Sequence, residues 1–459
     1  MESTKMKGRK DNMDNLPSTH LVEAIDLTHD GLGVCKLDDG YTVFVADLLK
    51  GETAEIIVTS RKKNYGFGKV LQRISKSPFR VTPRCRHFFE CGGCELMHME
   101  YDVQLSFKKY RTELSLRKEK IEEDRVSDII SMPSPYYYRN KVEIKFHQGE
   151  KGLEAGFFRA KSHTLVNLEE CHIMGKRTFD IIQLVRNIAN ELGLKAVDDK
   201  NKPGLLRSLL IRESLTTKEI ILLFHLKEKT LPEADLIVKK LTTKIPEITG
   251  IGITTASDIS ALATDPITLL YGRDYLMEQV NGIWYQVNFR SFFQVNTAQS
   301  GRLYQKALEY ADINPKTRMI DAYCGIGSIG LAAAKTAFKV FGIEIVKSAI
   351  LDARKNAELN DVHNAFFEVG DAEEVLKKWK KYKFDVIVVD PPRRGCTKGF
   401  IESLLVLKIP RIVYVSCDQA TLARDLGLLV SGGYQVQEVT PIDMFPQTAS
   451  VESVTLLTL

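Results

Sequence analysis

From Arg318 to the end of the 459-residue chain, apolar runs of five or six residues alternate with helical stretches: RMIDAY, FKVFGIE, AFFEVGD, FDVIVVD, RIVYVSC and YQVQEV. Continuous apolar strands separated by helices predict a parallel sheet covered on both faces, since a strand buried on both sides has no polar face to alternate with. Ligands of such sheets sit at the carboxyl ends of the strands. The unusual residues of this region all fall there.

The first strand ends in DAYCGIGSIG (321–330), a Gly-rich turn that lets a ligand approach the backbone. Its G-x-G-x-x-G spacing also fits an NAD-binding sheet. The second strand ends in Glu344, where a carboxylate can accept hydrogen bonds from ribose hydroxyls. The third ends in Gly370-Asp371, placed to meet an adenine edge. Acid, glycine turn, acid and acid at successive strand ends resemble the S-adenosylmethionine-dependent methyltransferase fold. The fourth strand ends in DPPRRG (390–395), whose prolines fix the loop backbone. Arg393 follows the prolines where amino-methyltransferases carry an aromatic, which argues against a nitrogen target. The fifth ends in VSCD (415–418). A cysteine there can attack carbon 6 of a pyrimidine; the bland alternative is a buried structural thiol. Glu452, in the run DMFPQTASVE (443–452), could remove a carbon-5 proton as general base, or be a surface charge.

Three of the eight cysteines, Cys85, Cys91 and Cys94, lie in the run CRHFFECGGC, and Cys171 follows in NLEECHIM. Four thiolates suit tetrahedral zinc or an iron–sulfur cluster. Three grouped ligands and one distant one fit a cluster more naturally than zinc, but both stay open on spacing. A radical enzyme is disfavoured, because its cluster usually needs C-x3-C-x2-C.

Residues 1–16 read as a mobile polar tail without the apolar core of a signal peptide. Residues 17–78 show short alternating segments punctuated by glycines, which predicts a small all-β barrel. Its last turn, SRKKNYGFGKVLQR, interleaves cations with Tyr65 and Phe67; this suits nucleic acid, or a solvated hairpin with its rings in the core. A Lys- and Arg-rich helix is expected from about Tyr101 to Glu123. Residues 79–290 read as an α+β domain with an antiparallel sheet, and residues 291–459 as the α/β Rossmann-like domain. The 44% hydrophobic and 27% charged content is that of a soluble globular protein, and no apolar stretch is long enough to span a membrane. A cytoplasmic location is expected, with cysteines as thiols or metal ligands.

Together FFQVN (292–296), DAYCGIGSIG, DPPRRG, VSCD and DMFPQTASVE resemble the RNA uracil-C5 methyltransferase family, in particular its 23S ribosomal RNA branch. The resemblance runs from about residue 20 to the end. It implies that the barrel is an OB-like TRAM domain, that Cys85, Cys91, Cys94 and Cys171 hold a structural [4Fe–4S] cluster, and that Cys417 is the nucleophile and Glu452 the base. It places Gln294, Tyr323, Ser328, Glu344, Asp371 and Asp390 at the positions that contact S-adenosylmethionine. Gln447 and Ser450 stand where many members carry histidines, and Ser328 where some have asparagine; these departures are expected to tune substrate contact or proton removal. The implied substrate is a flipped-out uridine of 23S ribosomal RNA, bound by a monomer. An electropositive surrounding is expected for Cys417, because the thiol must ionise to act. The alternatives are the same chemistry on transfer RNA, a cytosine-C5 enzyme, or a non-catalytic RNA-binding assembly factor. Which uridine is methylated, and how many, is not written in these motifs.

Overall fold

The computed structural model describes residues 19–160, 162–197, 204–257, 262 and 265–459. The expected tail over 1–16 lies outside the described residues. The described residues form two compact units, one within 19–82 and 95–100, the other within 83–94 and 101–459.

In the first unit, β1 (Thr19–Leu27), β2 (Gly33–Lys36), β3 (Thr42–Ala46), β4 (Thr53–Arg61) and β5 (Tyr65–Arg73) close into a barrel in the order β1-β2-β3-β5-β4. Alternation along the strands turns Val22, Ala24, Cys35, Val43, Val45, Ala54 and Ile56 inward. Closure leaves no sheet edge to pair with another chain. Phe44, Tyr65 and Phe67 cluster outside that core with centroids 5.4–6.0 Å apart, and Tyr65 is 40% exposed. Of the two readings of the basic hairpin, the rings therefore lie at the surface. The buried Glu52 carboxylate is held by Arg73 and Arg80.

The first helix of the second unit is α1 (Tyr101–Lys118). It stops short of the expected Glu123 because Lys120 turns into the left-handed region, at φ 59°. Next come β6 (Lys141–Gly149), β7 (Gly152–Phe158), β8 (Leu165–Asn167), α2 (Lys176–Glu191), β9 (Leu206–Glu213), β10 (Ile220–Leu226), α3 (Ala234–Lys244), β11 (Ile248–Thr254) and β12 (Ile267–Gly272). Their sheet has the order β12-β11-β10-β9-β6-β7-β8. The expectation of an antiparallel sheet needs correction at one pair. Strands β10 and β11 run parallel, because α3 carries the chain back to the end where β10 began.

The hairpin of β13 (Tyr275–Val280) and β14 (Ile283–Asn288) leads into α4 (Thr297–Ala311), which Asn296 caps. The last sheet is built from β15 (Arg318–Ala322), α5 (Ser328–Ala334), β16 (Lys339–Glu344), α6 (Lys347–Leu359), β17 (Ala365–Val369), α7 (Ala372–Lys378), β18 (Val386–Val389), α8 (Lys398–Leu407), β19 (Arg411–Ser416), α9 (Gln419–Ser431), β20 (Gln435–Ile442) and β21 (Glu452–Thr458). The strand order is β17-β16-β15-β18-β19-β21-β20. The first five strands run parallel, as their apolar runs predict. The sheet is not parallel throughout, however. The YQVQEV run lies in β20, which turns back through β21, and β21 inserts antiparallel between β19 and β20. One sheet face packs Met319, Val340, Val388 and Val413 with Tyr285, Val287 and Phe293; the other packs Ile320, Ile387, Ile412 and Tyr414 with residues of α7, α8 and α9. Both faces are thus covered, and the strand ends are left for chemistry. Among the described residues no helix is long and apolar enough to cross a membrane.

Candidate active site

Antiparallel pairing of β19 with β21 ends at Ser416–Ser453. Cys417 follows Ser416 and Glu452 precedes Ser453, so this last pair brings two residues distant in sequence within each other's field. Gln419, the first residue of α9, fastens the junction: its Nε2 donates to Val451 O at 3.1 Å, and Ser453 Oγ donates to its Oε1 at 3.0 Å. Asp418 caps α9 by accepting from the N–H groups of Ala420 and Thr421. Glu452 is only 3% exposed, and its Oε2 is buried without a hydrogen-bond partner. It is no surface charge. Loss of water and the field of Asp390 push its carboxyl up to about 8, against the pull of Arg393.

Cys417 is half-buried, and its thiol is pushed up to about 12, first by burial, then by the carboxylates of Glu452 and Asp390. Arg393 is the charge that opposes them. The expected electropositive surrounding is therefore corrected. Two acids and one guanidinium face this thiol, and the acids prevail because they share its low-dielectric pocket. Burial raises Asp390 itself to about 7.

The loop after β18 that carries Asp390 and Arg393 is tied down by α9. Thr421 Oγ1 donates to Arg393 O at 3.0 Å, Arg424 Nη2 to Arg394 O at 3.0 Å, and Cys396 N to Asp425 Oδ2 at 2.8 Å. Gly395 sits at φ 74°, where an added Cβ would meet Arg424 Nη2 at 2.5 Å and Asp425 Oδ2 at 2.6 Å, so only glycine fits.

The glycine turn after β15 has its own scaffold. Tyr323, Gly325 and Gly327 all have positive φ. Buried Asp321 accepts from Gly330 N at 2.8 Å, and Glu344 Oε2 accepts from Gly325 N at 3.3 Å. A Cβ on Gly325 would meet open space, so the turn leaves room for a ligand against its backbone. Ser328 starts α5, and its carbonyl accepts from Tyr285 Oη at 2.9 Å. Asp371 caps α7, using Oδ1 for both cap bonds, to Glu373 N and Glu374 N. Gln294 is buried on the segment before α4, with its carbonyl held by Asn140 Nδ2 at 2.9 Å. Tyr323 and Ser328 thus lie at the glycine turn, Glu344 reaches its backbone from the end of β16, and Cys417 and Glu452 lie near each other and near Asp390. Among the described residues no hydrogen bond joins the Gln294 side chain to either group. The donor set suits the adenosyl, ribose and amino-acid parts of S-adenosylmethionine: backbone N–H groups, hydroxyls and carboxylates around open space.

The sequence reading missed Tyr304. It sits buried on α4, beside the Ser328 side chain and in the fields of Asp390, Asp321 and Glu452. In sequence it is one more apolar-face residue of an amphipathic helix, and nothing flags it. The departures at 447 and 450 also look different in three dimensions. Gln447 is buried, with its Oε1 accepting from Gln104 Nε2 at 3.1 Å and its N donating to Gln104 Oε1 at 3.1 Å. The Gln447 side chain thus bonds α1 through Oε1 and reaches Pro135 O through Nε2 at 3.5 Å. Ser450 is exposed.

Of the four expected cluster cysteines, Cys171 joins the run at 85–94 through the chain around it. Arg86 N donates to Glu170 Oε1 at 2.7 Å, and Glu169 N to His87 Nε2 at 3.0 Å. Cys85 lies in the electrostatic fields of Cys171 and Cys91. Four thiols are a chemically fitting donor set. Among the described residues, no group of three or more His, Cys, Asp or Glu side chains is arranged to hold a metal ion. Of the remaining cysteines, Cys35 fills the barrel core, Cys324 is buried in the glycine turn, and Cys396 accepts from Tyr414 Oη at 3.5 Å.

Residues 100–459 match the family described as tRNA (uracil-5-)-methyltransferase, and residues 20–71 match the TRAM domain. An uncharacterized RNA methyltransferase of Oceanobacillus iheyensis is 42% identical over 440 residues, covering 95% of both chains. One from Staphylococcus aureus is 38% identical over 441 residues, 95% of this chain and 97% of that one. Among solved structures, the Pyrococcus abyssi tRNA (uracil-54, C5)-methyltransferase in complex with S-adenosyl-L-homocysteine superposes with a TM-score of 0.77 at 30% identity, covering 95% of this chain and 99% of that chain.

Proposed function

The chain belongs to the tRNA (uracil-5-)-methyltransferase family of S-adenosylmethionine-dependent RNA enzymes, and from that premise we propose methyl transfer to carbon 5 of a uridine in 23S ribosomal RNA, with Cys417 as transient nucleophile and Glu452 as base. Carbon 5 of uracil is too weak a nucleophile to take a methyl group unaided. Addition of Cys417 Sγ to carbon 6 leaves an enolate with its electron pair available at carbon 5, which splits one hard step into two easier ones. Bound S-adenosylmethionine supplies the electrophilic methyl group. Glu452 then takes the carbon-5 proton, and the electrons of that C–H bond restore the 5,6 double bond as Cys417 leaves. Tyr323, Ser328, Glu344 and Asp371 would hold the cofactor, with Gln294 and Asp390 completing the set, and Arg393 would steady the charge on the ring. A base inside a helix cannot reach this pocket, so the uridine must be flipped out.

The observation that carries the reading is the closeness of Cys417 and Glu452 at the end of the β19–β21 ladder, with the Glu452 Oε2 buried and unbonded. Cys85, Cys91, Cys94 and Cys171 would hold a [4Fe–4S] cluster that pins the fold and takes no part in bond making. The purified protein should then contain iron and absorb visible light; stoichiometric zinc without iron would overturn this. A cytoplasmic monomer completes the proposal. The same chemistry on transfer RNA is the second reading, favoured by the likeness to the P. abyssi enzyme. Mapping 5-methyluridine in cells lacking the protein decides between them: loss from 23S ribosomal RNA supports the first, loss from transfer RNA alone the second, and loss from neither sinks both.

A further inference from the structure

A second cavity, of about 570 Å³, opens on the far edge of the catalytic sheet. Its walls include Phe341, Phe366, Trp379, Tyr382 and Phe384, and it wraps around β17, the edge strand. Four strand spacings separate β17 from β19, roughly 19 Å at the usual separation of paired strands. This cavity is therefore not the pocket of Cys417. Its volume lies within the range of small-ligand sites. The rings are arranged for contact: Phe366 stacks on Phe341 at 5.8 Å and 29°, and Trp379 lies 5.7 Å from both Phe341 and Phe384. Phe366 is 48% and Tyr382 62% exposed, so each leaves ring surface uncovered.

The rim is cationic. Arg318, Arg354 and Lys383 line it, with Glu368 as the one carboxylate among the lining residues. Lys339 lies 5.6 Å from the Phe366 centroid, and Lys380 and Lys381 share a turn with Trp379. Exposed rings among cations are what an unpaired nucleotide needs, a face to stack its base on and charge to meet its phosphate. A second copy of this chain would set like charges against each other, and an apolar peptide would find the rim charged.

We infer that this groove is an accessory site for a single unpaired nucleotide of the RNA, stacked on Phe366 and Tyr382, distinct from the nucleotide that is methylated. The inference rests on the proposed RNA substrate and adds to it a second grip on that RNA. The paired variant Phe366→Ala/Tyr382→Ala changes exposed side chains only, and Lys381→Ala/Lys383→Ala removes charge without touching the rings. Binding of full-length protein to a fluorescent single-stranded oligouridine should weaken about 5- to 100-fold in the first variant, the usual effect of losing a stacked base. The second should weaken binding less, and chiefly at low salt. Methyl transfer at saturating RNA should keep its kcat while KM rises. Unchanged RNA affinity in both variants, beside a wild type that binds and methylates, overturns this site alone. So does a change of sedimentation with RNA binding intact, which would make the groove a contact between copies. A wild type that neither binds nor methylates RNA overturns the underlying reading as well.

Discussion

Cys417 and Glu452 bring opposite demands into one pocket. The thiol must lose its proton to attack, yet burial first and then the neighbouring acids hold it at about 12, while Glu452 itself stands near 8. The base works only when deprotonated, so methyl transfer at limiting RNA should rise with pH through about 8; a profile flat from pH 6 to 9 would count against Glu452. Glu452→Gln cannot take the carbon-5 proton, and elimination should stall. A covalent RNA–protein adduct should then persist in denaturing gels, whereas Cys417→Ala forms none and loses transfer while keeping cofactor binding. Arg393 is the cation that opposes the two acids, so Arg393→Ala should raise the thiol further and cut the rate several-fold at neutral pH. A pH series with both proteins measures the displacement.

At the scale of elements, the loop 443–448 leads to Glu452, and α1 locks it in place. Lys108 and Asp443, 335 residues apart, form a fully buried ion pair, and Tyr101 Oη donates to the other carboxylate oxygen at 2.7 Å. Lys108 Nζ also donates to Phe445 O, and Tyr138 Oη to Pro446 O, each at 3.0 Å. Removing one member strands a buried charge, at a cost of about 3–5 kcal/mol. Lys108→Met should thus lower Tm by several degrees in a thermal melt, and Lys108→Met with Asp443→Leu should recover most of that loss. The sequence reading could not see this pair. Lys108 belongs to a run of cations that reads as the solvated face of a helix, and only the docking of α1 turns it inward. The DPPRRG loop was legible as a rigid turn, but its anchors, Thr421, Arg424 and Asp425, sit on α9 where they read as ordinary helical residues.

The whole molecule joins an RNA-binding barrel to a catalytic unit. On the barrel, Arg61 lies 5.0 Å over the Tyr41 ring, near a surface cluster of Phe44, Tyr65 and Phe67. If this face meets phosphates, Lys62→Ala/Lys63→Ala should weaken binding to all RNA sequences alike and flatten the log K against log salt slope by roughly one unit per lost contact. A salt titration of the two proteins reads this directly. The local signals in the chain determined much of this architecture. Apolar runs of strand length specified the parallel strands and placed Asp321, Glu344, Asp390 and Cys417 at their ends, because strand burial and strand-end chemistry both follow from residues close together in sequence. The antiparallel return of β21, the burial of Glu452, the acidic field on Cys417, and the parts played by Tyr304 and Lys108 were decided only in three dimensions. Each depends on which distant segment comes to lie beside a residue, and on how much water that neighbour removes.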